Sequence, residues 1–534
     1  MVQETLLYVI SLLFAVMLLV ILGQKLRIAY PIFLVIGGLL ISLIPGAPQS
    51  TLSPDLIFLI FLPPLLYEAA WYTSWPNFWK MRLPIALHGF GLVILTSVVV
   101  AVVSEKLIPQ FTLTVGLLLG GVISPPDAVA ATSVLKFFKV PRKVKTVLEG
   151  ESLVNDAASL TVFRFALAAV ITGHFVLRDA AVSFVWVTVM GILFGLLIGQ
   201  VIYFIYKLFH TTAEVSTALT LVTPYIMYLT AEHFHFSGVL SVVSGGLFLS
   251  SRSKEILNYK ARLQSHGVWT TIGFVLNGLV FILIGLQLPY IINGLKYYTL
   301  SQAILYGLII SVLIILIRLI WFFVASYVPY MLNKRMDEKL PRPDPREVLV
   351  AGWAGMRGVI SLASALSIPV SLADGRDFPE RDLVLFISFM VILVTLVFQG
   401  LTLPWLIRRL KLSEDKLETS AEIQSLQVHR FILKLSIDRL EQNHAHLIRK
   451  NVLVKNYCDR MKLDTGMTEV SIEAMIEHVD EKELLKEFHD VVLDISDYVH
   501  RQLTSLRLNE EYDEDVIRME EARIDLEQNK IFYD

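Results

Sequence analysis

A single cysteine, Cys458, in 534 residues leaves no intrachain disulfide to form, so no part of the fold rests on oxidative cross-linking. Charge is scarce over most of the chain as well. Residues 1–411 hold 30 Lys and Arg and 20 Asp and Glu, with long uncharged stretches between them. With 55% hydrophobic residues and a mean hydropathy of +0.62, the chain is too apolar for a soluble enzyme. A repeated selectivity filter, which a cation channel would need, is also missing.

What the chain has instead is a succession of long apolar runs, the signature of a polytopic membrane protein. The first, "LLYVISLLFAVMLLVIL", is preceded by Glu4 and followed by Lys25 and Arg27, and it is long enough to span. It therefore reads as a transmembrane helix, not a signal peptide. Cutting the hydrophobic profile at polar and Pro/Gly breaks gives thirteen spans, an all-α architecture. The third is 54–72, the fifth 112–136, the sixth 150–172 and the twelfth 348–370. The intervening loops place 22 Lys and Arg on one side and 5 on the other. Because basic residues prefer the cytoplasmic side of short loops, the N-terminus is expected outside and the C-terminus inside.

Character changes at residue 412. Residues 412–534 carry 16 basic and 28 acidic side chains, and "LLKEFHDVVLDISDYVHRQL" places apolar residues at helical spacing among charges. Two domains are expected: 1–411 in the membrane, and a helical cytosolic domain over 412–534. The acidic tail would pack on itself or, in a regulatory role, dock on the basic inner loops or bind a regulator.

An ionisable group at the centre of a bilayer costs about 2.5–3.5 kcal/mol even on a lenient scale, so each one asks for a reason. Glu68, Asp127, Glu151, Asp156 and Arg357 stand out. Arg164 and Arg318 also fall inside spans and have no evident role in the sequence. In "GESLVNDAASL", Ser152 and Asp156 lie one helical turn apart, and Glu151, Asn155 and Ser159 are read as flanking them on one polar wedge.

In "GGVISPPDAVAATSVL", Pro125 and Pro126 remove two backbone donors just before Asp127, so the fifth span should unwind there. Free carbonyls and a half-helix N-terminus at membrane depth are tolerable where protein or a water-filled cavity satisfies them, and they can hold a cation. The twelfth span, "LVAGWAGMRGVISLASALSIP", has a second weak point where Gly352, Gly355 and Gly358 surround Arg357. Two interrupted spans, one in each half, point to a transporter built from inverted repeats. An aspartyl protease using Asp127 and Asp156 is the rival, but the Tyr-Asp and Gly-x-Gly-Asp contexts of such a dyad are absent.

Taken in order, "FLPPLLYEAA", "SPPDAVAA", "GESLVNDA" and "GMRGVISLA" resemble the motifs of the monovalent cation:proton antiporters of the NhaP/NHE sodium/proton exchanger family, over roughly residues 5–411. The resemblance implies an NhaA/NhaP-like fold with inverted repeats and two broken, crossing helices. It implies a homodimer in a bacterial inner (plasma) membrane, and transport of Na⁺, Li⁺ or K⁺ against H⁺ without a cofactor, an enzymatic step or nucleic acid. By position it assigns the ion-binding carboxylate to Asp156, its neutral neighbour to Asn155, and further site positions to Ser152, Glu68 and Asp127. It assigns a buried ion pair to Glu151 and Arg357. Many relatives have Asp followed by Pro at the break, whereas here Pro125 and Pro126 precede Asp127.

On that reading Asp156, Ser152, Glu68 and the backbone carbonyl of Pro126 form an oxygen cage suited to a hard monovalent cation. A buried carboxylate satisfied by either a proton or Na⁺, never both, couples the two. Asn rather than Asp at 155 fits an electroneutral cycle by the same resemblance.

Overall fold

A computed structural model describes residues 2–26, 28–44, 58–138, 140–173, 177–209, 211–295, 297–335, 342–372, 376–412, 421–477, 481–508, 520 and 524. Of the basic loop residues counted above, Arg27, Lys139, Lys296 and Lys339 lie outside these, as does the start of the expected third span. The chain divides into two compact units, Met1–Glu414 and Asp415–Asp534.

Among the described residues of unit one the regular elements are helices, apart from isolated backbone bridges. Among the described residues seven helices are long and apolar enough to cross a membrane: Leu6–Leu26, Arg82–Leu107, Arg142–Thr172, Ala181–Leu208, Tyr259–Gly294, Leu300–Met331 and Arg381–Leu410. Four more, Tyr30–Ser42, Phe58–Tyr72, Leu113–Ile123 and Gly238–Ser251, are apolar but shorter. Leu6, Leu7, Ile10, Phe14 and Ile21 on the first helix, and Val182, Val185, Leu193 and Leu197 on the fourth, turn outward. In water such faces would be a liability; in a bilayer they meet solvent of their own kind.

Helix ends are set by local chemistry. Thr112, Ser237 and Asn258 each cap a helix by accepting a backbone N–H from three residues ahead, Val115, Leu240 and Ala261. Gly173, at φ +72°, ends Arg142–Thr172 in the left-handed conformation that glycine adopts without a Cβ penalty.

Arg142–Thr172 is the central element, and we call it the site helix. Leu148, Phe163 and Ala166 join a large apolar cluster that includes the Leu113–Ile123 and Arg381–Val394 helices. Leu153, Val154, Ala157 and Leu160 join a second cluster with Leu66, Tyr67, Val243 and Trp269. The site helix is thus packed between two bodies of side chains.

Both expected breaks are present. Leu113–Ile123 stops and Ala128–Leu135 begins after an extended segment, and Pro345–Trp353 and Val359–Leu366 are separated in the same way. The two extended segments meet in an antiparallel bridge between Pro126 and Arg357.

In unit two, Ala421–Lys450 and Val452–Glu477 form an antiparallel pair joined through Asn451. Buried Ile423, Leu433, Cys458 and Ile472 lie among the contacts, with Lys434–Glu469 (2.8 Å) and Lys462–Glu441 (2.7 Å) at the rim. A third helix, Glu481–Leu508, follows.

Candidate functional site

Unwinding two helices inside an apolar unit leaves backbone groups that must find partners. At the crossing, Asp127 N donates to Met356 O at 2.7 Å. Pro126 O accepts from Asn155 Nδ2 at 2.7 Å, and Ala128 N donates to Ser152 Oγ at 3.2 Å. Ser159 Oγ donates to Gly121 O at 2.8 Å, one turn before the break. Asn155, Ser152 and Ser159 of the site helix thus hold the first break in place.

The carbonyl ends of the half-helices take positive charge. Arg357 Nε donates to Ile123 O at 2.9 Å and Nη1 to Gly355 O at 2.6 Å, while its backbone N donates to Thr395 Oγ1 at 3.0 Å. Arg318 Nε donates to Gly352 O at 3.1 Å, and Gln399 Nε2 to Trp353 O at 2.9 Å. A guanidinium at each helix C-terminus opposes the negative end of the helix dipole. Asp127 does the converse. Its Oδ1 accepts from Val129 N at 2.8 Å, capping the half-helix Ala128–Leu135. Its carboxylate also packs against Gly358, at the N-terminus of Val359–Leu366, so closely that a methyl group there would overlap it.

The ion pair expected between Glu151 and Arg357 is not the one formed. Glu151 is bonded by Arg318, Nη1 to Oε1 at 2.6 Å and Nη2 to Oε2 at 3.0 Å, and both side chains are 1% exposed. Two causes are visible. Arg357 spends Nε and Nη1 on the carbonyls of the crossing. Glu151 also stands about 140° around the helix from Asp156 at about 100° per residue, so it does not share that wedge. It faces the Leu300–Arg335 helix, which carries Arg318.

Beside the crossing is a cavity of about 270 Å³. Its lining includes Asp156, Ser152, Asp127, Pro126, Asn277 and Ser361, with apolar residues of the Phe58–Thr73 segment opposite. Asp156 is 7% exposed. Among the described residues, no Lys, Arg or His lines this cavity. The amide oxygen of Asn155 and the hydroxyl of Ser361 are buried beside it without a hydrogen-bond partner among the described residues.

Glu68, expected in the oxygen cage, does not line the cavity. Leu65, Ala69 and Tyr72 share the face that does; Glu68 is turned off it, and its carboxylate packs against Gly273 of the Tyr259–Leu286 helix. The oxygens brought together are those of Asp156, Ser152, Asp127 and Pro126.

Glu149, Thr132 and Ser361 line the cavity and were missed in the sequence. Glu149 was legible there: it lies seven residues before Asp156, two turns on the same face. Ser361, within "GMRGVISLA", gave no signal before the broken twelfth span was placed against the site helix.

Two broken helices crossing with opposed dipoles beside a buried carboxylate, in a cavity lined by no basic side chain among the described residues, are the arrangement that transporters with discontinuous helices use. The chain belongs to the sodium/hydrogen exchanger transmembrane family, whose match covers residues 10–409. It is 33% identical over 447 residues to the sodium, potassium, lithium and rubidium/H(+) antiporter of Bacillus pumilus, covering 82% of this chain and 66% of that one. To the antiporter of the same description from Bacillus subtilis it is 35% identical over 386 residues, 71% of this chain and 57% of that one. It thus spans less than two thirds of the length of these two relatives. With the Na(+)/H(+) antiporter ApNhaP of Aphanothece halophytica it shares 34% identity over 73% of this chain and 71% of the relative. The fold is similar to that of the sodium proton antiporter MjNhaP1 from Methanocaldococcus jannaschii, with a TM-score of 0.61 and 17% identity over 77% of this chain and 99% of that one.

Proposed function

We propose that the protein is a secondary active antiporter exchanging Na⁺ or Li⁺ for H⁺, one for one, by alternating access. The observation that carries this reading is the Asp156 carboxylate, 7% exposed in a cavity where no described residue supplies a fixed positive charge. Such a group asks for a mobile cation, and both a proton and Na⁺ qualify. Occupancy by one excludes the other.

Charge balance supplies the coupling. Around the crossing stand three acids, Glu151, Asp127 and Asp156, and two bases, Arg318 and Arg357. With a proton or one monovalent cation on Asp156 the group is neutral. Empty, it carries one negative charge, and moving that through low dielectric is disfavoured. Exchange proceeds while leak is suppressed, and a cycle of one proton for one cation moves no net charge.

The cation is held by oxygens of Asp156, Ser152 and Asp127, with the Pro126 carbonyl fixed in place by Asn155. Hydroxyl, carbonyl and carboxylate oxygens suit a hard monovalent ion. The relatives named for sodium, potassium, lithium and rubidium make K⁺ a cation to measure beside Na⁺ and Li⁺. On this reading the chain makes thirteen crossings of a bacterial plasma membrane as a homodimer, with the N-terminus outside and the tail, a candidate for regulator binding, in the cytoplasm.

The test is flux in proteoliposomes. A Na⁺ gradient should drive a pH change that survives collapse of the membrane potential and disappears in Asp156→Asn. Conductive single-channel steps, or full exchange by Asp156→Asn, would overturn the proposal.

A further inference from the structure

Arg164 has no part in the cation site, yet it is a charge within a span. On the site helix it lies eight residues beyond Asp156, about 12 Å along the axis. Glu149, at the cavity, is seven residues before Asp156. The cavity approaches Asp156 from the Glu149 side, and Arg164 is on the opposite side.

There Arg164 Nη2 donates to Glu232 Oε2 at 2.8 Å, with side-chain exposures of 46% and 25%. Glu232 lies in the last turn of the Ala213–His233 helix and is itself held: its other oxygen, Oε1, accepts from Gly238 N at 3.1 Å, at the start of Gly238–Ser251. The carboxylate is thereby anchored to a corner between two helices, with one oxygen left for the arginine. The site helix packs against Gly238–Ser251, and its backbone does not come close to that of Ala213–His233, so the long arginine reaches across to Glu232. Tyr228, buried on the same helix, borders the pair.

We propose that Arg164 and Glu232 form an ionic latch that closes the far side of the transport path while the cavity stands open at Glu149. The proposal rests on the alternating-access reading. When the site helix moves to expose Asp156 on the other side, Arg164 must leave Glu232, so the pair holds the population in the state seen here. A partly exposed pair suits this role, because water or lipid headgroups can receive both charges once it opens. Arg164 and Glu232 are positioning residues, since neither touches the cation site.

The test reads access to the cavity, not transport. In a Cys458→Ser background, Thr132→Cys places one thiol on the cavity wall, to be labelled in membranes by an impermeant maleimide. Arg164→Ala should slow labelling at least threefold, because the population shifts away from the state open at Glu149. Glu232→Gln keeps an oxygen for Gly238 N and removes only the charge, so it should slow labelling likewise even if Arg164→Ala fails to fold. A merely structural pair would lower the melting temperature and leave the labelling rate of the folded protein unchanged. Wild-type labelling in Glu232→Gln, or in a folded Arg164→Ala, overturns the latch. Labelling that responds as predicted in a protein with no Na⁺-driven proton flux would keep the latch and remove the exchange reading.

Discussion

Glu151 and Arg318 are joined by two parallel N–H···O bonds, 2.6 and 3.0 Å long, between side chains that are each 1% exposed. Breaking a buried pair of this kind from one side leaves the other charge uncompensated, at a cost of about 3–5 kcal/mol. Arg318→Ala should therefore lower the melting temperature of the purified protein sharply. The double variant Glu151→Leu, Arg318→Met should recover part of the loss, since it strands neither charge but still leaves Gly352 O without its donor. If the single and double variants melt alike, the pair is not what holds these helices.

Arg357→Ala should also destabilise, for a different reason. It strips donors from Ile123 O and Gly355 O, each buried acceptor left unsatisfied costing about 1–3 kcal/mol. Because Glu151 keeps Arg318, the coupling between Arg357→Ala and Glu151→Gln in a thermal melt should be weaker than that between Arg318→Ala and Glu151→Gln. Strong non-additivity would return Arg357 to the partnership expected from the sequence.

Gly358→Ala is the sharpest probe of the crossing. The added methyl would overlap the Asp127 carboxylate, and overpacking of this kind costs about 1–3 kcal/mol. Exchange should fall at least tenfold in protein that still folds, because Asp127 must leave its cap on Val129 N. Exchange at the wild-type rate would show that the position of Asp127 is not critical.

Glu149→Gln should leave maximal exchange close to wild type and raise the KM for Na⁺ several-fold. The residue lines the cavity on the same face of the helix as Ser152 and Asp156 and concentrates cations there by charge alone. The KM effect should shrink as ionic strength rises; an effect independent of salt would argue for direct ligation.

The breaks were legible in the sequence because their causes are local: two prolines ahead of Asp127, and three glycines around Arg357. Asp156 was legible because an acid in an apolar helix needs a reason. The partner of Glu151 was not, because the choice between Arg318 and Arg357 depends on which helix packs against which face, and the helix carrying Arg318 is apolar on nearly every side. Glu68 illustrates the same limit. A carboxylate one helical position off the cavity face packs against Gly273, and only the assembled bundle shows how far it is turned. Glu149 is the reverse case, since its helical phase with Asp156 was available from the spacing alone.

The central claim is that H⁺ and an alkali cation compete for Asp156. It is tested most directly by titrating Na⁺ into detergent-solubilised protein by calorimetry in buffers of different ionisation enthalpy. At pH values where the site is protonated, each Na⁺ bound should release close to one proton, and the apparent affinity should weaken about tenfold per unit fall in pH. Asp156→Asn should remove both effects. Binding of Na⁺ without proton release, at an affinity unchanged from low to high pH, would contradict the account.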